Sequence, residues 1–231
     1  MNTDPGMRAL LAPFQDPAAV SHYTEGPPRF VPGFADLHKM TSILLGEDTP
    51  DDGQVLVVGA GGGLELKAWA QDHPHWRFVG VDPARPMLEL AKKTLGPLAA
   101  RVELHEGYVD DAPEGPFDAA SCLLTLHFLD AAERQRTLEQ IRKRLKPGAP
   151  FIAVHASFPQ GQRDTWLSRY AAFAIASGVE RDKGLAMREK VAANLSMFSP
   201  AEDENILRAA GFGDVTPFYA AFTWRGWIAY A

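Results

Sequence analysis

Apolar residues recur in two alternating patterns from residue 54 onwards. Short apolar runs rich in β-branched and aromatic residues, such as QVLVV at 54–58 and WRFVGVD at 76–82, predict buried strands. Apolar residues spaced three to four positions apart, as in LELKAWAQDH at 64–73, predict helices. The same two patterns predict helices over 84–96 and 131–148 and strands over 101–107, 117–126 and 150–157. Strands that alternate with helices in this way predict a parallel sheet with helices on both faces.

The pattern changes after Ser157. Residues 160–196 carry two helical patterns with no strand pattern between them, which predicts a helical cap over one end of the sheet. PAEDENILRAAGF at 200–212 predicts a further helix, with Ser199 as its N-cap and Glu202 three residues later. Two aromatic strand patterns joined by a tight turn follow at 213–230, so the last strand should run antiparallel. These elements predict a doubly wound, mostly parallel α/β sheet with an antiparallel last strand.

The first 32 residues differ from the rest because they are rich in Pro, Gly and small polar residues. They predict an irregular arm with one short helix. The stretch PGFADLHKMTSILLG at 32–46 then predicts a helix that ends at Gly46. We therefore expect an N-terminal arm over 1–32 and a single domain over 33–231 that includes the cap insertion at 160–196.

Composition narrows the class of protein and its surroundings. Formal net charge is −6, which argues against a protein that follows nucleic-acid backbones by charge alone. A single cysteine, Cys122, cannot form an internal disulfide, and this favours a reducing compartment. We find neither a signal-peptide pattern at the N-terminus nor a run of ~20 apolar residues that would suit a membrane helix. We expect a cytoplasmic protein with no membrane or nucleic-acid partner, and a homodimer stays an option.

Four glycines occupy five positions in the GAGGG turn at 59–63, between a predicted strand and a predicted helix. Glycine permits positive φ and lets a ligand approach the backbone, and the helix N-terminus beyond it offers free N–H groups. Asp82 ends the next strand about 20 residues later, where a carboxylate can accept hydrogen bonds from a ribose. The glycine turn and Asp82 together predict a nucleoside ligand. A plain turn, with Asp82 only capping the next helix, is the alternative.

The kind of nucleoside follows in part from what surrounds the turn. No G-K-[ST] follows the glycines, so ATP hydrolysis is not expected. A dinucleotide-binding dehydrogenase stays open, although the C-terminal aromatic hairpin is unlike a dinucleotide fold.

Four stretches resemble the class I S-adenosylmethionine-dependent methyltransferases in order and spacing. They are VLVVGAGGG, VGVDPARPMLELAKK, FDAASCLLTLHFL and LEQIRKRLKPGAPFIAVH, which together cover residues 54–155. The resemblance implies a seven-stranded sheet, closed by the hairpin at 213–230, and S-adenosylmethionine as cofactor. The cofactor contacts that it implies are Phe34, Gly59, Ala60, Gly61, Gly63, Asp82, Pro83, Tyr108, Val109 and Leu123.

The sequence departs from the family pattern at two positions. The family often has an acid at the place of Val57, which helps to fix the cofactor's amino group or the loop around it. It often has an aspartate at the place of Tyr108, which accepts from the adenine amine, and Asp110 or Asp111 could supply that bond instead. We expect a functional but altered cofactor site.

Three outlying stretches are similar to a narrower branch, the carboxy-S-adenosylmethionine synthases of tRNA wobble-uridine modification. They are RFVPGF at 29–34, LTLHFLDAAERQ at 124–135 and REKVAANLSMFS at 188–199. Those enzymes convert S-adenosylmethionine and prephenate into a carboxylated cofactor, and the resemblance implies that Arg188 would bind the added carboxylate, which a guanidinium suits.

Polar partners that the branch uses are missing from this chain. Phe34 stands where the branch has a tyrosine, Leu123 where it has an asparagine and Tyr108 where it has an aspartate. We therefore expect a relative in architecture with different chemistry. In that case Arg188 is paired with a nearby acid such as Glu189 or Asp182 and turned towards solvent.

Methyl transfer from a sulfonium needs alignment of the two reactants and sometimes a base. His127 follows the fourth predicted strand and is the candidate base, with a packing role as the alternative. The candidate substrate contacts are the cap residues Arg163, Trp166, Tyr170 and Arg188. The seven histidines show no metal-ligand spacing, so no metal is expected.

The sequence therefore predicts an S-adenosylmethionine-dependent methyltransferase that acts on a small molecule by direct methyl transfer. One alternative is an enzyme that modifies the cofactor itself, like the carboxylating branch. The other is a non-catalytic protein that binds the cofactor or serves as a scaffold.

Overall fold

A seven-stranded sheet forms the centre of the computed structural model, which describes residues 11–231. Its strand order is β3-β2-β1-β4-β5-β7-β6. Strands β1 to β5 pair in parallel, and β7 runs antiparallel to both β5 and β6. The predicted doubly wound sheet with an antiparallel last strand is thereby confirmed. The strands are β1 Gln54–Val58, β2 Arg77–Asp82, β3 Val102–Glu106, β4 Ala119–Leu123, β5 Pro150–Ala156, β6 Gly213–Ala221 and β7 Trp224–Tyr230.

Helices cover both faces of the sheet and one of its ends. The longer ones are α1 Phe34–Asp48, α2 Leu64–Asp72, α3 Arg85–Leu95, α4 Ala131–Lys143, α5 Arg163–Ala176, α6 Arg181–Asn194 and α7 Pro200–Ala209. Short α-helical turns span Pro17–Val20 and Pro27–Phe30, and 3₁₀ turns span Tyr23–Glu25, Gly96–Arg101, Val109–Asp111, Leu126–Phe128 and Gln160–Gln162. Helix α7 begins with the predicted capping box, in which the Ser199 hydroxyl accepts from the Glu202 N–H and the Glu202 carboxylate accepts from the Ser199 N–H.

The two faces of the sheet bury separate apolar clusters because side chains alternate along each strand. Val55 and Val57 of β1 point into the cluster beneath α1 and α2, whereas Leu56 and Val58 point into the cluster beneath α4 and α7. All four are 6% exposed or less. A strand covered on both faces explains why QVLVV reads as an unbroken apolar run.

The segment that precedes α1 packs against the domain. Val31 is 1% exposed and belongs to the same apolar cluster as β1. The Trp224 indole N–H donates to the Phe30 carbonyl at 2.8 Å, and the Tyr219 hydroxyl donates to the Pro32 carbonyl at 2.5 Å. The last two strands therefore hold this segment over the carboxyl ends of the sheet, where the sequence predicted an irregular arm. Residues 1–10 of that predicted arm lie outside the described residues.

Helices α5 and α6 form the cap that was predicted over 160–196. They pack against each other, and α5 also contacts the turn Pro27–Phe30. Gly184 of α6 lies against Ile175 of α5 so closely that an added Cβ would come within 2.9 Å of the Ile175 side chain. The cap and the N-terminal segment together enclose the space above β1, β4 and β5.

Candidate cofactor and substrate cavity

A cavity of about 860 Å³ lies at the carboxyl ends of the parallel strands. Open α/β sheets bind ligands at this edge, and small-molecule sites commonly enclose ~300–1,000 Å³. The predicted site residues that line it are Phe34, Gly59, Gly61, Asp82, Pro83, Tyr108, Val109, Leu123, His127 and Tyr170. The predicted site residues that do not line it are Ala60, Gly63, Arg163, Trp166 and Arg188.

The glycine turn is shaped by contacts within the protein. Gly59 has a φ of 78°, and an added Cβ would lie 2.1 Å from the Thr125 Oγ1. An added Cβ on Gly61 would lie 2.6 Å from the Asp82 Oδ2, and one on Gly63 would lie 3.0 Å from Ala91. Gly59 and Gly61 also line the cavity, so the prediction that the turn lets a ligand approach its backbone stays a prediction beside these internal contacts. The absent side chains leave space for the Asp82 carboxyl and for the loop after β4 to approach the turn.

A comparison of two glycines tests this interpretation of Gly59. Gly148 has nearly the same φ, 76°, but an added Cβ there would meet nothing within 4 Å. Gly148→Ala should cost about 1–2 kcal/mol of unfolding free energy through left-handed strain alone. Gly59→Ala should cost ~1–3 kcal/mol more because Thr125 must move. Chemical denaturation measures both, and equal losses would show that contact with Thr125 does not constrain the turn.

Asp82 is held by two backbone N–H groups. Its Oδ2 accepts from Gly61 at 3.0 Å, and its Oδ1 accepts from Ala84 at 2.8 Å. Burial raises the pKa of this carboxyl to about 6, although the two N–H donors oppose the rise. Each carboxylate oxygen keeps a further acceptor site. Asp82 therefore holds the glycine turn through Gly61 and the backbone before α3 through Ala84. Its carboxylate still has acceptor sites available at the cavity.

Glu65 lines the same part of the cavity and was missed from the sequence. It lies in the first turn of α2, is only 7% exposed and sits near Asp82. Burial raises its pKa to about 7; its own backbone N–H opposes the rise, and the Asp82 charge adds to it. In the part of the chain that the structure describes, neither Glu65 nor Asp82 has an ion-pair partner. The one sequence signal that could have identified Glu65 was its position, two residues after the last glycine of the turn.

The end of the cavity beyond β3 carries the predicted adenine contacts. Val109 is buried, whereas Tyr108 is 47% exposed. The Asp111 carboxylate lines the cavity and accepts from the Tyr108 N–H at 2.8 Å. Asp110 instead pairs with Arg136 at 2.7 Å. Of the two aspartates considered for the adenine amine, Asp111 is the one that lines the cavity.

His127 is buried at the inner wall of the cavity. Its Nδ1 accepts from the Ala156 N–H at 3.4 Å, and its ring meets Trp224 edge-on with centroids 5.5 Å apart. Burial, followed by the nearby positive groups His155 and Arg134, lowers its pKa well below the usual value. A neutral ring with Nδ1 accepting carries its proton on Nε2. This geometry favours hydrogen-bond donation over the predicted role as a base.

A second buried histidine, His38, also lines the cavity and was missed from the sequence. It lies one helical turn after Phe34 in α1, with the ring centroids 4.5 Å apart. Burial lowers its pKa to about 4. Within residues 11–231 no side chain or backbone group forms a hydrogen bond with its ring nitrogens. The four-residue spacing from Phe34 was the only local signal.

Three of the four predicted substrate contacts face other parts of the cap. Arg163 donates to the Ala192 carbonyl at 2.9 Å, which ties the start of α5 to α6. Trp166 is covered by the guanidinium groups of Arg169 and Arg225, 4.4 and 5.5 Å from its ring centroid. These contacts join the cap to the C-terminal hairpin. Neither Arg163 nor Trp166 is placed to bind a ligand in the cavity.

Arg188 pairs with acids on the cap surface. Its Nη1 bonds the Glu189 Oε1 at 2.7 Å, and its Nη2 lies 3.7 Å from the Asp164 Oδ1. Its neighbour Met187, not Arg188, lines the cavity. The prediction of a carboxylate-binding Arg188 is therefore corrected, and the alternative of an acid-paired arginine describes it.

No group of three or more His, Cys, Asp and Glu side chains among residues 11–231 is arranged to hold a metal ion. No helix in the same range is long and apolar enough to cross a membrane.

Residues 56–151 match the family model described as a methyltransferase domain. The match extends from β1 to the start of β5, and the strand order is that of the class I methyltransferase fold. Over residues 56–151 the chain therefore resembles a methyltransferase domain in sequence, and its sheet has the class I S-adenosylmethionine-dependent methyltransferase fold. The cofactor of this class is S-adenosylmethionine, as the sequence resemblance implied.

Relatives by sequence carry the name of the narrower branch. A carboxy-S-adenosyl-L-methionine synthase from Salmonella arizonae is 25% identical over 208 residues, covering 87% of this chain and 84% of that protein. The protein of the same name from Campylobacter lari is 21% identical over 204 residues, covering 87% of each chain. The resemblance to this branch is thereby confirmed as a distant one.

Solved structures of similar fold include methyltransferases with other names. An O-methyltransferase family protein from Burkholderia thailandensis superposes with a TM-score of 0.69 at 18% identity, over 95% of this chain. Human N-acetylserotonin methyltransferase, in complex with SAM, gives a TM-score of 0.67 at 13% identity, over 98% of this chain. This chain spans 61% and 60% of their lengths, respectively. These similarities concern the fold.

Proposed function

We propose that the chain binds S-adenosylmethionine in this cavity and transfers its methyl group to a small molecule. The observation that carries the proposal is the pair of buried carboxyls, Glu65 and Asp82, without ion-pair partners among the described residues. Buried charges require a counter-charge. When bound, the cofactor supplies a methyl group on a positively charged sulfur together with a positively charged amino group.

The residues present fit such a cofactor. Asp82 keeps acceptor capacity at the end of β2, where a ribose would lie. Glu65 offers a carboxylate near the glycine turn and takes over the role that an acid at the place of Val57 has in related proteins. Val57 itself is completely buried in an apolar cluster and faces no ligand. Asp111 and Val109 provide a polar and an apolar contact for the adenine.

Methyl transfer is favoured over formation of a carboxylated cofactor by the charges around the cavity. Arg136 is the only arginine among the described lining residues, and it is paired with Asp110. Arg188 is already paired with Glu189 on the cap surface. A carboxylate added to the cofactor would therefore lack the guanidinium partner that the branch provides.

The chain's own contribution to methyl transfer is to hold the acceptor and exclude water. The reaction is a direct displacement, so alignment contributes most of the rate. The aromatic groups Phe30, Phe34 and Trp224 line the cavity above the strand ends and leave a largely apolar space. His127 would donate a hydrogen bond from Nε2 to the acceptor. A scaffold that binds no cofactor would gain nothing from two buried carboxyls without ion-pair partners, so the pair argues against that alternative.

Competition between two cofactors tests this function. We expect the protein to prefer S-adenosylmethionine over carboxy-S-adenosylmethionine, and to form no carboxylated product from prephenate. Arg188→Ala should change neither affinity by more than about twofold, because Arg188 does not line the cavity and its partners Glu189 and Asp164 are exposed acids. Calorimetry and mass spectrometry measure the two outcomes. A preference for the carboxylated cofactor that disappears in Arg188→Ala would contradict the proposal and favour the carboxylating reaction.

A further inference from the structure

We propose that the part of the cavity between α1, α5 and β7 binds an uncharged aromatic molecule, which is the methyl acceptor. We call this part the aromatic pocket; it is lined by Phe30, Phe34, His38, His127, Tyr170 and Trp224. The proposal rests on the proposed function because it names the substrate class of that site. It draws on the shape, charge and polar atoms of the pocket, which are independent of the cofactor contacts.

Aromatic rings form the walls of the pocket. Phe30 and Tyr170 are stacked with centroids 5.5 Å apart and planes 24° apart. Tyr170 and Trp224 follow at 6.4 Å, and Trp224 meets His127 at 5.5 Å. Rings at these separations contact one another and form a continuous aromatic wall. A flat aromatic guest that lies against this wall gains ring–ring contacts beyond the burial of apolar area.

The walls are fixed before any ligand binds. Trp224 is 7% exposed, and its indole N–H is used by the Phe30 carbonyl. The Tyr219 hydroxyl similarly fixes Pro32, so the turn that carries Phe30 is attached to the hairpin at two points. A preformed pocket avoids the entropy of ordering its side chains when a ligand binds.

Charge is absent from this pocket. The charged side chains that line the cavity are Glu65, Asp82, Glu106, Asp111, Glu133 and Arg136. All six belong to the glycine-turn side, to the end of β3 and the segment after it, or to α4, and none of the described residues adds a charge to the aromatic pocket. His38 and His127 are neutral at pH 7 because burial lowers both pKa values, that of His38 to about 4. An anionic substrate would be buried there without a partner, at a high cost.

Two neutral imidazoles give the pocket its polarity. His38 has ring nitrogens without a hydrogen-bond partner among the described residues, and a neutral ring offers one acceptor nitrogen. His127 offers the Nε2–H because its Nδ1 accepts from Ala156. A hydroxyl group can donate to the first ring and accept from the second. The pocket is therefore suited to a phenol or a related uncharged ring with a hydroxyl substituent. In methyl transfer the S–CH3 bond of the cofactor would break and an O–CH3 bond would form, the hydroxyl proton would pass to the acceptor nitrogen of His38, and S-adenosylhomocysteine would be released.

Three probes separate the parts of this inference. The protein, saturated with S-adenosylhomocysteine, is titrated with 2-naphthol, with 2-naphthoate and with decahydro-2-naphthol at pH 7.5. We expect 2-naphthol to bind at least tenfold more tightly than the anion, which lacks a counter-charge, and more tightly than the saturated alcohol, which lacks the flat ring. Binding of 2-naphthoate equal to or tighter than that of 2-naphthol would overturn the inference.

Matched variants locate the binding site. Tyr170→Leu removes one aromatic wall and should weaken 2-naphthol binding about tenfold, whereas Tyr170→Phe should retain it. His38→Gln should weaken 2-naphthol binding and leave naphthalene binding unchanged, because only the hydroxyl contact is altered. His75→Gln, at an exposed histidine, is the control and should have no effect. Unchanged 2-naphthol affinity in both Tyr170→Leu and His38→Gln would place the ligand elsewhere and contradict the proposal.

The same titrations separate failure of this inference from failure of the proposed function. Saturation with S-adenosylhomocysteine is itself measured first, by calorimetry. If that ligand binds but 2-naphthol does not, the aromatic substrate class is wrong and the cofactor site stands. If S-adenosylhomocysteine does not bind, both proposals fail.

Discussion

Replacing Arg134 with leucine is expected to lower the free energy of unfolding by about 3–5 kcal/mol, the cost of breaking a buried ion pair by removal of one partner. Arg134 and Asp203 are each 1% exposed, and their side chains are hydrogen-bonded. The guanidinium also donates to the carbonyls of Leu126 at 3.1 Å and Ser196 at 2.6 Å. It therefore joins α4 and α7 to the turn that carries His127 and to the end of the cap.

Arg136→Leu is the matched control, two residues further along α4. Arg136 pairs with Asp110 at 2.7 Å, but the two side chains are 56% and 42% exposed. Exposed pairs of this kind contribute roughly 0–1 kcal/mol. Urea denaturation of both variants tests the difference. Similar small losses in the two would show that the buried pair does not hold the fold together.

The pH dependence of stability gives a second view of the same network. Burial alone would raise the pKa of Asp203, but the His155 ring and the Arg134 guanidinium outweigh it and hold that pKa below its usual value. A carboxyl with a lowered folded pKa stabilises the folded state above its unfolded pKa of ~3.9, and this contribution is lost as the pH falls further. Wild type should therefore lose this contribution below about pH 4, and Arg134→Leu should lose less of it.

Cofactor affinity is expected to fall about ten- to a hundredfold in either Glu65→Gln or Asp82→Asn, since a hydrogen bond to a charged group contributes ~1.5–3 kcal/mol. It should also depend on pH. Burial raises the pKa of Glu65 to about 7 and that of Asp82 to about 6. The ionised forms are the better acceptors for the cofactor's amino group and for its ribose hydroxyls, respectively. Affinity in wild type should therefore decrease as the pH falls from 7.5 through these values to 5.5. Glu65→Gln should keep only the step near pH 6.

The effect of these carboxyls on folding has the opposite sign from that of Asp203. Their raised pKa values favour the folded state without ligand below about pH 4, and the benefit is lost as the pH rises through about 6 and 7. Binding and stability measured over the same pH range should thus change in opposite directions. A flat binding profile would mean that neither carboxyl contacts the cofactor.

The strands β1, β2, β4 and β5 were predictable because each is covered on both faces and therefore reads as a nearly continuous apolar run, whereas the edge strands β3 and β6 are less buried. The ends of the strands were less predictable. The predicted strand over 117–126 ends at Leu123, because Leu124 adopts a φ of 54° and its N–H donates to the Val154 carbonyl. The predicted helix over 131–148 ends at Lys143, because the Lys146 N–H donates to the Phe117 carbonyl instead of continuing the helix. Both breaks depend on distant strands.

The residues of the candidate site also fall into two groups, those that local sequence spacing could locate and those whose position depends on tertiary packing. Gly59 and Asp82 could be located from local spacing because they end adjacent parallel strands. Glu65, His38 and Trp224 could not, since their approach to the cavity depends on how α1, α2 and the hairpin pack. Arg188 follows Met187, which lines the cavity, but the Arg188 side chain pairs with acids on the cap instead.

Titration calorimetry with S-adenosylmethionine at pH 7.5 tests the central claim most directly. Wild type and the surface control Glu89→Gln, whose carboxyl is 60% exposed, should bind one molecule per chain with equal affinity. The double variant Glu65→Gln, Asp82→Asn should remain folded by circular dichroism and show no measurable binding heat. Absence of binding in wild type, or equal affinity in the double variant, would contradict the account.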